Sequence, residues 1–228
     1  FASGGKFEGI KKLFSEYGDL INQYDYFWLF EDDLFLPKTS TVRLFDFIGE
    51  CKPHLLSPSL SIDSFYSWPI MIACQGIRYR STNFVEVMAP IMSQDLLREF
   101  LPHFDENYSS WGYEFLWSKM ILDRGWCAYI VDDAPIVHTR KPGTGTLHAS
   151  KNDKTVDFQS EMNQFMSKYN LSKNQQFREY FAVTQVGKYI AFEDLAESSS
   201  SWYTSAGLFD LTLQKYLNKM AIKRLSST

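Results

Sequence analysis

Tyr26-Phe27-Trp28-Leu29-Phe30-Glu31-Asp32-Asp33 is an apolar, aromatic run that stops abruptly at three carboxylates. A run this short and this rich in aromatics has the character of a buried strand in an α/β sheet. The acids then stand at the strand's carboxyl end, where open α/β sheets bind their ligands. Three adjacent acids repel one another, so a clustered set calls for a cation nearby. The plain alternative is a solvated acidic loop.

Upstream, Phe7, Ile10, Phe14, Tyr17 and Ile21 recur at helical spacing, predicting an amphipathic helix from Lys6 to Gln23. Downstream, Pro37 breaks the chain, and Thr39 to Thr41 offer caps for a helix through Cys51. Strands are expected at Leu55–Ser57, Ile70–Ala73 and Phe84–Met88, and Ser93 is placed to cap a helix over Gln94–Phe100. Trp111-Gly112-Tyr113-Glu114 opens a further helix that Gly125 ends. Cys127–Val131 reads as a strand running into Asp132 and Asp133, an acidic pair read as a turn. Ile136-Val137-His138 then leads to the loop Thr139–Thr146, whose Pro142–Thr146 part has the glycine content of a lid. Strands alternating with helices argue an α/β fold with a mixed sheet.

Beyond Asn152, Val156, Met162, Phe165, Met166 and Tyr169 predict a helix, and the aromatic spacing of Phe177–Phe192 predicts another. Ser198–Ser201 reads as a linker and Leu208–Leu225 as a helix with a basic end at Lys219, Lys223 and Arg224. That end can dock on the domain, on a partner or on an anionic membrane surface.

The chain has 228 residues, 45% of them hydrophobic, enough to bury the core of one domain. A net charge of -4 and a pI of about 5.6 give no electrostatic footprint for nucleic acid. Cys51, Cys74 and Cys127 form no close pair in sequence and read as reduced thiols. No apolar stretch approaches the roughly 20 residues that span a bilayer, and no signal peptide is visible. The expected location is cytoplasmic or peripheral to a membrane. Asn107-Tyr108-Ser109 and Asn170-Leu171-Ser172 match the glycosylation pattern, which arises readily by chance.

Several of these segments carry a resemblance. The strand ending in Glu31-Asp32-Asp33 resembles the Asp-x-Asp motif of nucleotide-sugar glycosyltransferases of the GT-A fold, and Trp111–Glu114 resembles their Trp-Gly-x-acid segment. With Phe84-Val85-Glu86-Val87-Met88-Ala89-Pro90 and the stretch Val131–His138, the set is similar to an uncharacterised plant and bacterial family of suspected glycosyltransferases. The likeness covers roughly residues 24 to 146. It implies a GT-A-like α/β domain over residues 1–150, with a helical C-terminal extension over 151–228.

The resemblance also implies an activity: transfer of a sugar from a nucleotide-diphosphate sugar to a hydroxyl acceptor, with Mn²⁺ or Mg²⁺ as cofactor. A hard divalent cation stabilises the charge that builds on the departing diphosphate. Asp33 is the expected direct ligand and His138 a further one, with Glu31 either at the metal or facing the donor. Asp32 supports the donor, and Arg140 and Lys141 are placed to clamp the diphosphate. Glu114 is read as general base or positioning acid, although an acid at a helix N-terminus is favoured by the dipole in any case. Trp111 is either core or a platform for a sugar face. Glu86, among apolar neighbours, either faces the cleft or pairs with a buried base.

Two other readings stay open: a carbohydrate-binding module derived from such a fold, and a metal-dependent phosphohydrolase. A GT-A domain places one or two βα units before its acidic strand, so the chain is expected to be part of a longer polypeptide lacking its base-binding start.

Overall fold

The structure, a computed structural model, describes residues 5–141, 157–172 and 178–191. In chain order its elements are helices α1 (Lys6–Glu16) and α2 (Leu20–Gln23), strands β1 (Tyr26–Trp28) and β2 (Leu34–Phe35), helix α3 (Lys38–Cys51), and strands β3 (Leu55–Leu60), β4 (Ile77–Thr82) and β5 (Ile91–Ser93). Helices α4 (Gln94–Phe100) and α5 (Tyr113–Arg124) lead to the long strand β6 (Ala128–His138). Helix α6 (Phe158–Lys168) and strands β7 (Glu179–Thr184) and β8 (Tyr189–Ala191) complete the set.

The fold is mixed α/β, built on an open and mostly antiparallel sheet of order β1-β5-β3-β6-β4-β7-β8, with β2 paired to the end of β6. Strand β1 runs antiparallel to β5, and β5 antiparallel to β3, so β1 and β3 point the same way. Strand β3 pairs in parallel with β6. The carboxyl ends of β1, β3 and β6 therefore lie along one edge of the sheet, the place where such sheets receive ligands.

Burial follows the alternation of the strands. Leu55, Met92 and Ala128 face a cluster with Phe7 and Phe14 of α1, Leu96 and Phe100 of α4, and Tyr113 and Trp117 of α5. At odd separations along the same strands, Leu56, Ile91 and Val131 face the opposite way, onto Leu44 and Phe47 of α3. Helices thus cover both faces of the sheet. Trp117 is fully buried and its indole N–H donates to the Val85 carbonyl at 2.8 Å, so it adds about 3 kcal/mol of apolar burial without an orphaned donor.

Local chemistry explains most element ends. The Ser93 hydroxyl accepts from Leu96 N–H and caps α4. Gly125, at φ 64°, closes α5 in the left-handed conformation that glycine adopts without strain. Helix α3 starts after Pro37 with no side-chain cap, so the expected role of Thr39 to Thr41 is not taken up, although Thr41 donates back to the Pro37 carbonyl.

Five sequence expectations are corrected. The helix over Lys6–Gln23 is two helices, because α1 ends at Glu16 and the chain restarts as α2 at Leu20. Ile70–Ala73 is not a strand; a 3₁₀ turn occupies Pro69–Met71. Phe84–Met88 is irregular although Phe84 and Val85 are fully buried. Only single bonds join this stretch to the segment after β1, Glu31 N–H donating to Met88 O at 3.2 Å and, just past it, Leu29 N–H to Pro90 O at 2.9 Å.

Asp132 and Asp133 form no turn between two strands. They sit inside β6, where the register against β3 shifts between Pro58 and Leu60. The Asp132 carboxylate is buried and takes the Arg80 guanidinium side-on, Nε to Oδ2 at 2.8 Å and Nη2 to Oδ1 at 2.9 Å, while Cys74 N–H donates to Oδ1 at 2.8 Å. Arg80 also bonds Glu179 of β7 and donates to Ile72 O at 3.0 Å. This knot ties β4, β6 and β7 together.

Finally, the described part of the helix expected over Phe177–Phe192 is a hairpin. Strand β7 pairs with β4 and with β8, extending the sheet, and Gly187, at φ 81°, lies in the turn. The linker at Ser198–Ser201, the helix at Leu208–Leu225 and the lid at Pro142–Thr146 lie outside the described residues. The three cysteines are free and partly buried. Among the described residues no helix is long and apolar enough to cross a membrane.

Candidate metal centre

Strand β2 carries Asp33 to the end of β6. Leu34 stands opposite His138 in the antiparallel register, and Thr139 donates both its N–H and its hydroxyl to the Asp33 carbonyl, at 3.0 and 2.8 Å. The loop after β3 closes on the same point: His138 N–H donates to Ser64 Oγ at 3.2 Å, and Phe65 N–H to His138 O at 3.1 Å. Glu31, Asp33 and His138 each bring one ligand atom into a group whose atoms lie within 4.8 Å of one another.

The hydrogen bonds of His138 define its tautomer. Nδ1 lies 2.9 Å from the Phe65 carbonyl, which only accepts, so Nδ1 carries a proton. In a neutral ring Nε2 then presents a lone pair to Asp33 Oδ2, 3.3 Å away. Two electron pairs facing each other at that distance call for a positive species: a second proton on the ring, or a metal ion. The other oxygen of Asp33, Oδ1, is buried and has no hydrogen-bond partner. A proton on Nε2 satisfies Oδ2 and leaves Oδ1 orphaned, whereas a cation in the mouth of the group can satisfy both. The side chains of His138 and Asp33 are 4% and 9% exposed, and that of Glu31 is 38% exposed, so the group opens to solvent on the glutamate side. Its ligands fit a divalent ion: carboxylate oxygens suit Mn²⁺ or Mg²⁺, and the imidazole favours Mn²⁺.

Two further carboxyls, Glu86 and Glu114, are buried, and Glu86 feels the charges of both Glu31 and Glu114. Glu114 sits in the first turn of α5 and accepts Gly112 N–H at 3.1 Å. Gly112 takes φ 101°, which favours glycine, and a Cβ there would stand a tight 3.2 Å from the Phe165 ring of α6. Burial pushes Glu114 up to about 7. Glu86 is pushed up to about 8, by burial first and then by the charges of Glu114 and Glu31.

Lys6 completes the cluster. Gly5 packs against the Tyr108 carbonyl, where an added Cβ would stand 2.6 Å from the oxygen. The following Lys6 reaches the carbonyls of Leu29 (3.3 Å), Met88 (3.2 Å) and Val87, with Glu31 Oε1 at 3.5 Å. Burial pulls its amine down, and the Glu31 charge works in the other direction. Sequence reading passed over Lys6, Ser64 and Phe65. A lone lysine opening a helix carries no pattern, and Phe65 contributes only its backbone.

The remaining candidates contribute no ligand atom to the group. Asp32 is exposed, 3.8 Å from an exposed Arg140, and such a pair contributes little to stability. Lys141 is exposed beside it. Trp111 is half-buried against Phe158 of α6, ring centres 5.9 Å apart, and its carbonyl accepts from the Asn107 side chain at 2.9 Å. No protein-family model matches the chain, and a search of curated proteins finds no significant match.

Proposed function

We propose that the chain is a divalent-metal-dependent glycosyltransferase that moves a sugar from a nucleotide-diphosphate sugar to a hydroxyl acceptor. The observation that carries this reading is the union of Glu31, Asp33 and His138, with Asp33 Oδ1 buried and unpartnered, at the shared carboxyl end of β1, β3 and β6. When bound there, Mn²⁺ or Mg²⁺ supplies positive charge to the departing diphosphate. Asp33 and His138 hold the ion, and Glu31, on the open side, reaches it or the donor. Glu114 is the base for the acceptor hydroxyl. It is buried, within the cluster's electrostatic reach through Glu86, and tuned near neutrality, as a general base working at neutral pH requires. Arg140 and Asp32 lie at the exposed rim, where Arg140 can meet phosphate.

Thermal unfolding with Mn²⁺, UDP and GDP tests the reading. A ligand present at one hundred times its dissociation constant stabilises by about 2.7 kcal/mol, a readily visible shift. The transferase should be stabilised by nucleotide only when Mn²⁺ is present, and Asp33→Ala should lose that response. An unchanged response in Asp33→Ala removes Asp33 from the site. Stabilisation by glycans with no nucleotide effect supports a binding module instead, and phosphate release from nucleotides supports a hydrolase.

A further inference from the structure

At the end of the sheet away from His138, where β3 and β6 begin, Cys127 and His54 face each other. His54 precedes β3 and Cys127 precedes β6, and the two strands run parallel, so the backbone itself brings the pair together. His54 N–H donates to Cys127 O at 3.2 Å, and Leu55 N–H to the same oxygen at 3.3 Å. The side chains meet as well. His54 Nδ1 lies 3.4 Å from Cys127 N and 3.5 Å from its Sγ.

The tautomer follows from the backbone contact. A peptide N–H only donates, so Nδ1 carries a lone pair and the proton of the neutral ring sits on Nε2. That lone pair can accept a thiol proton, and the Cys127 sulfur stands within reach of it. Trp126 holds the ring in this pose: the two stack with centres 4.8 Å apart and planes within 5°. Burial pulls His54 below its ordinary value, against the charge of Asp95 in the first turn of α4, so the imidazole is neutral at pH 7 and free to take a proton. Tyr129 of β6 adds a hydroxyl beside the Cys127 sulfur.

Among the described residues, neither of the other two cysteines is bonded to an imidazole. Burial pushes the Cys74 thiol far up, and its sulfur lies 3.9 Å from the Ile72 carbonyl. Burial, and then the charge of Glu50, push Cys51 up although it is partly exposed like Cys127. The thiolate is the nucleophile, so surroundings that disfavour it slow a cysteine's reactions.

We propose that Cys127 is a peroxide-reactive thiol with His54 as its base, a site for hydrogen peroxide or a small organic hydroperoxide that is independent of the metal group. Both side chains are half-buried, which suits a small reagent. A hydroperoxide also suits the pair because the nitrogen that accepts the thiol proton can return it to the leaving oxygen. In the reaction, His54 Nδ1 takes the thiol proton. The sulfur's electron pair bonds to the outer oxygen of the peroxide, and the O–O bond breaks. The departing hydroxide or alkoxide takes the proton from Nδ1 and leaves as water or alcohol. The thiol is oxidised to sulfenic acid and the peroxide is reduced.

The folded protein, exposed at pH 7 to hydrogen peroxide with dimedone as the trap for sulfenic acid, tests this by mass spectrometry of each cysteine peptide. Cys127 should be trapped at least about tenfold faster than Cys51, the reference thiol of similar exposure. His54→Gln, which cannot take up the proton, should bring Cys127 down to the rate of Cys51 and leave Cys51 unchanged. Equal rates for Cys127 and Cys51 in the wild type overturn the proposal with no variant needed. A Cys127 rate that stays high in folded His54→Gln shows that exposure alone drives the reaction and overturns the role of His54. In concentrated urea the three thiols should react alike, since the pairing belongs to the fold; a Cys127 that remains fastest when unfolded refutes it.

Discussion

Asp132→Asn is the sharpest test of the fold, because it isolates one charge at the centre of the sheet. In the wild type the Asp132 carboxylate takes two guanidinium bonds from Arg80, at 2.8 and 2.9 Å, and one from Cys74 N–H. The side chains of Arg80 and Asp132 are 5% and 0% exposed, so solvent screens neither. Removing one partner of a buried ion pair leaves the other charge uncompensated, at about 3–5 kcal/mol. Glu179 remains on Arg80, which sets the expectation at the lower end, about 3 kcal/mol. With a urea slope of about 2 kcal/mol/M, the unfolding midpoint should fall by about 1.5 M with the slope unchanged. Replacing Arg80, Asp132 and Glu179 together by Met, Leu and Gln should recover most of the loss, since no buried charge is then left alone. A loss below about 1 kcal/mol in Asp132→Asn refutes the knot, and with it the placement of Asp132 inside β6.

Three further outcomes follow from the geometry. Glu86 has a folded-state value of about 8, above the 4.5 of an ordinary glutamate, so its favourable contribution is whole below pH 4.5 and is lost as the pH climbs toward 8. At about 1.4 kcal/mol per pH unit, roughly 3 kcal/mol has gone by pH 7. Glu86→Gln carries no such loss, so its stability relative to wild type should grow across that window in denaturant titrations, and a difference flat with pH contradicts the burial argument. Gly112→Ala forces a Cβ into the left-handed region and against Phe165, and should cost about 2 kcal/mol with a melting temperature lower by about 6 °C; an unchanged melting temperature would show that the α5–α6 contact gives way freely. Ser93→Ala, which removes the cap on Leu96 N–H, should cost about 1 kcal/mol by urea unfolding, and a Thr replacement should restore most of it.

Parts of this architecture were plain in the sequence for simple reasons. The apolar run into Glu31-Asp32-Asp33 obeys a short-range rule, as do the Ser93 cap and the Gly125 stop. Glu31, Asp33 and His138, singled out as ligand candidates, do come together. What escaped depends on partners distant in the chain. Strand β4, Ile77-Arg78-Tyr79-Arg80-Ser81-Thr82, hides because Arg80 lies buried, and its charge is matched only by Asp132 and Glu179, 52 and 99 positions away. The same pairing lets two acids lie inside β6. Phe84–Met88 has the composition of a strand, but its carbonyls are taken up by Lys6 and by a single bond from Glu31 beyond β1. In β7 the aromatics fell at helical spacing, while the aromatic and β-branched content of Tyr180-Phe181-Ala182-Val183-Thr184 and the glycine after it were the better signal. Arg140 and Lys141 follow His138 by two and three positions in sequence, yet the side chain of Arg140 turns outward to Asp32.

The two-residue strand β2 joins positions 33 and 138, so it closes a stretch of about one hundred residues with very few bonds of its own. A cation held between Asp33 and His138 would act as a removable staple across that stretch. Because the ion binds only where the fold has brought the two side chains together, it would stabilise the folded chain by its binding free energy, about 2.7 kcal/mol at one hundred times its dissociation constant. Chelation and stability would then be coupled, with the closure between β2 and β6 weakest where the ion is withheld.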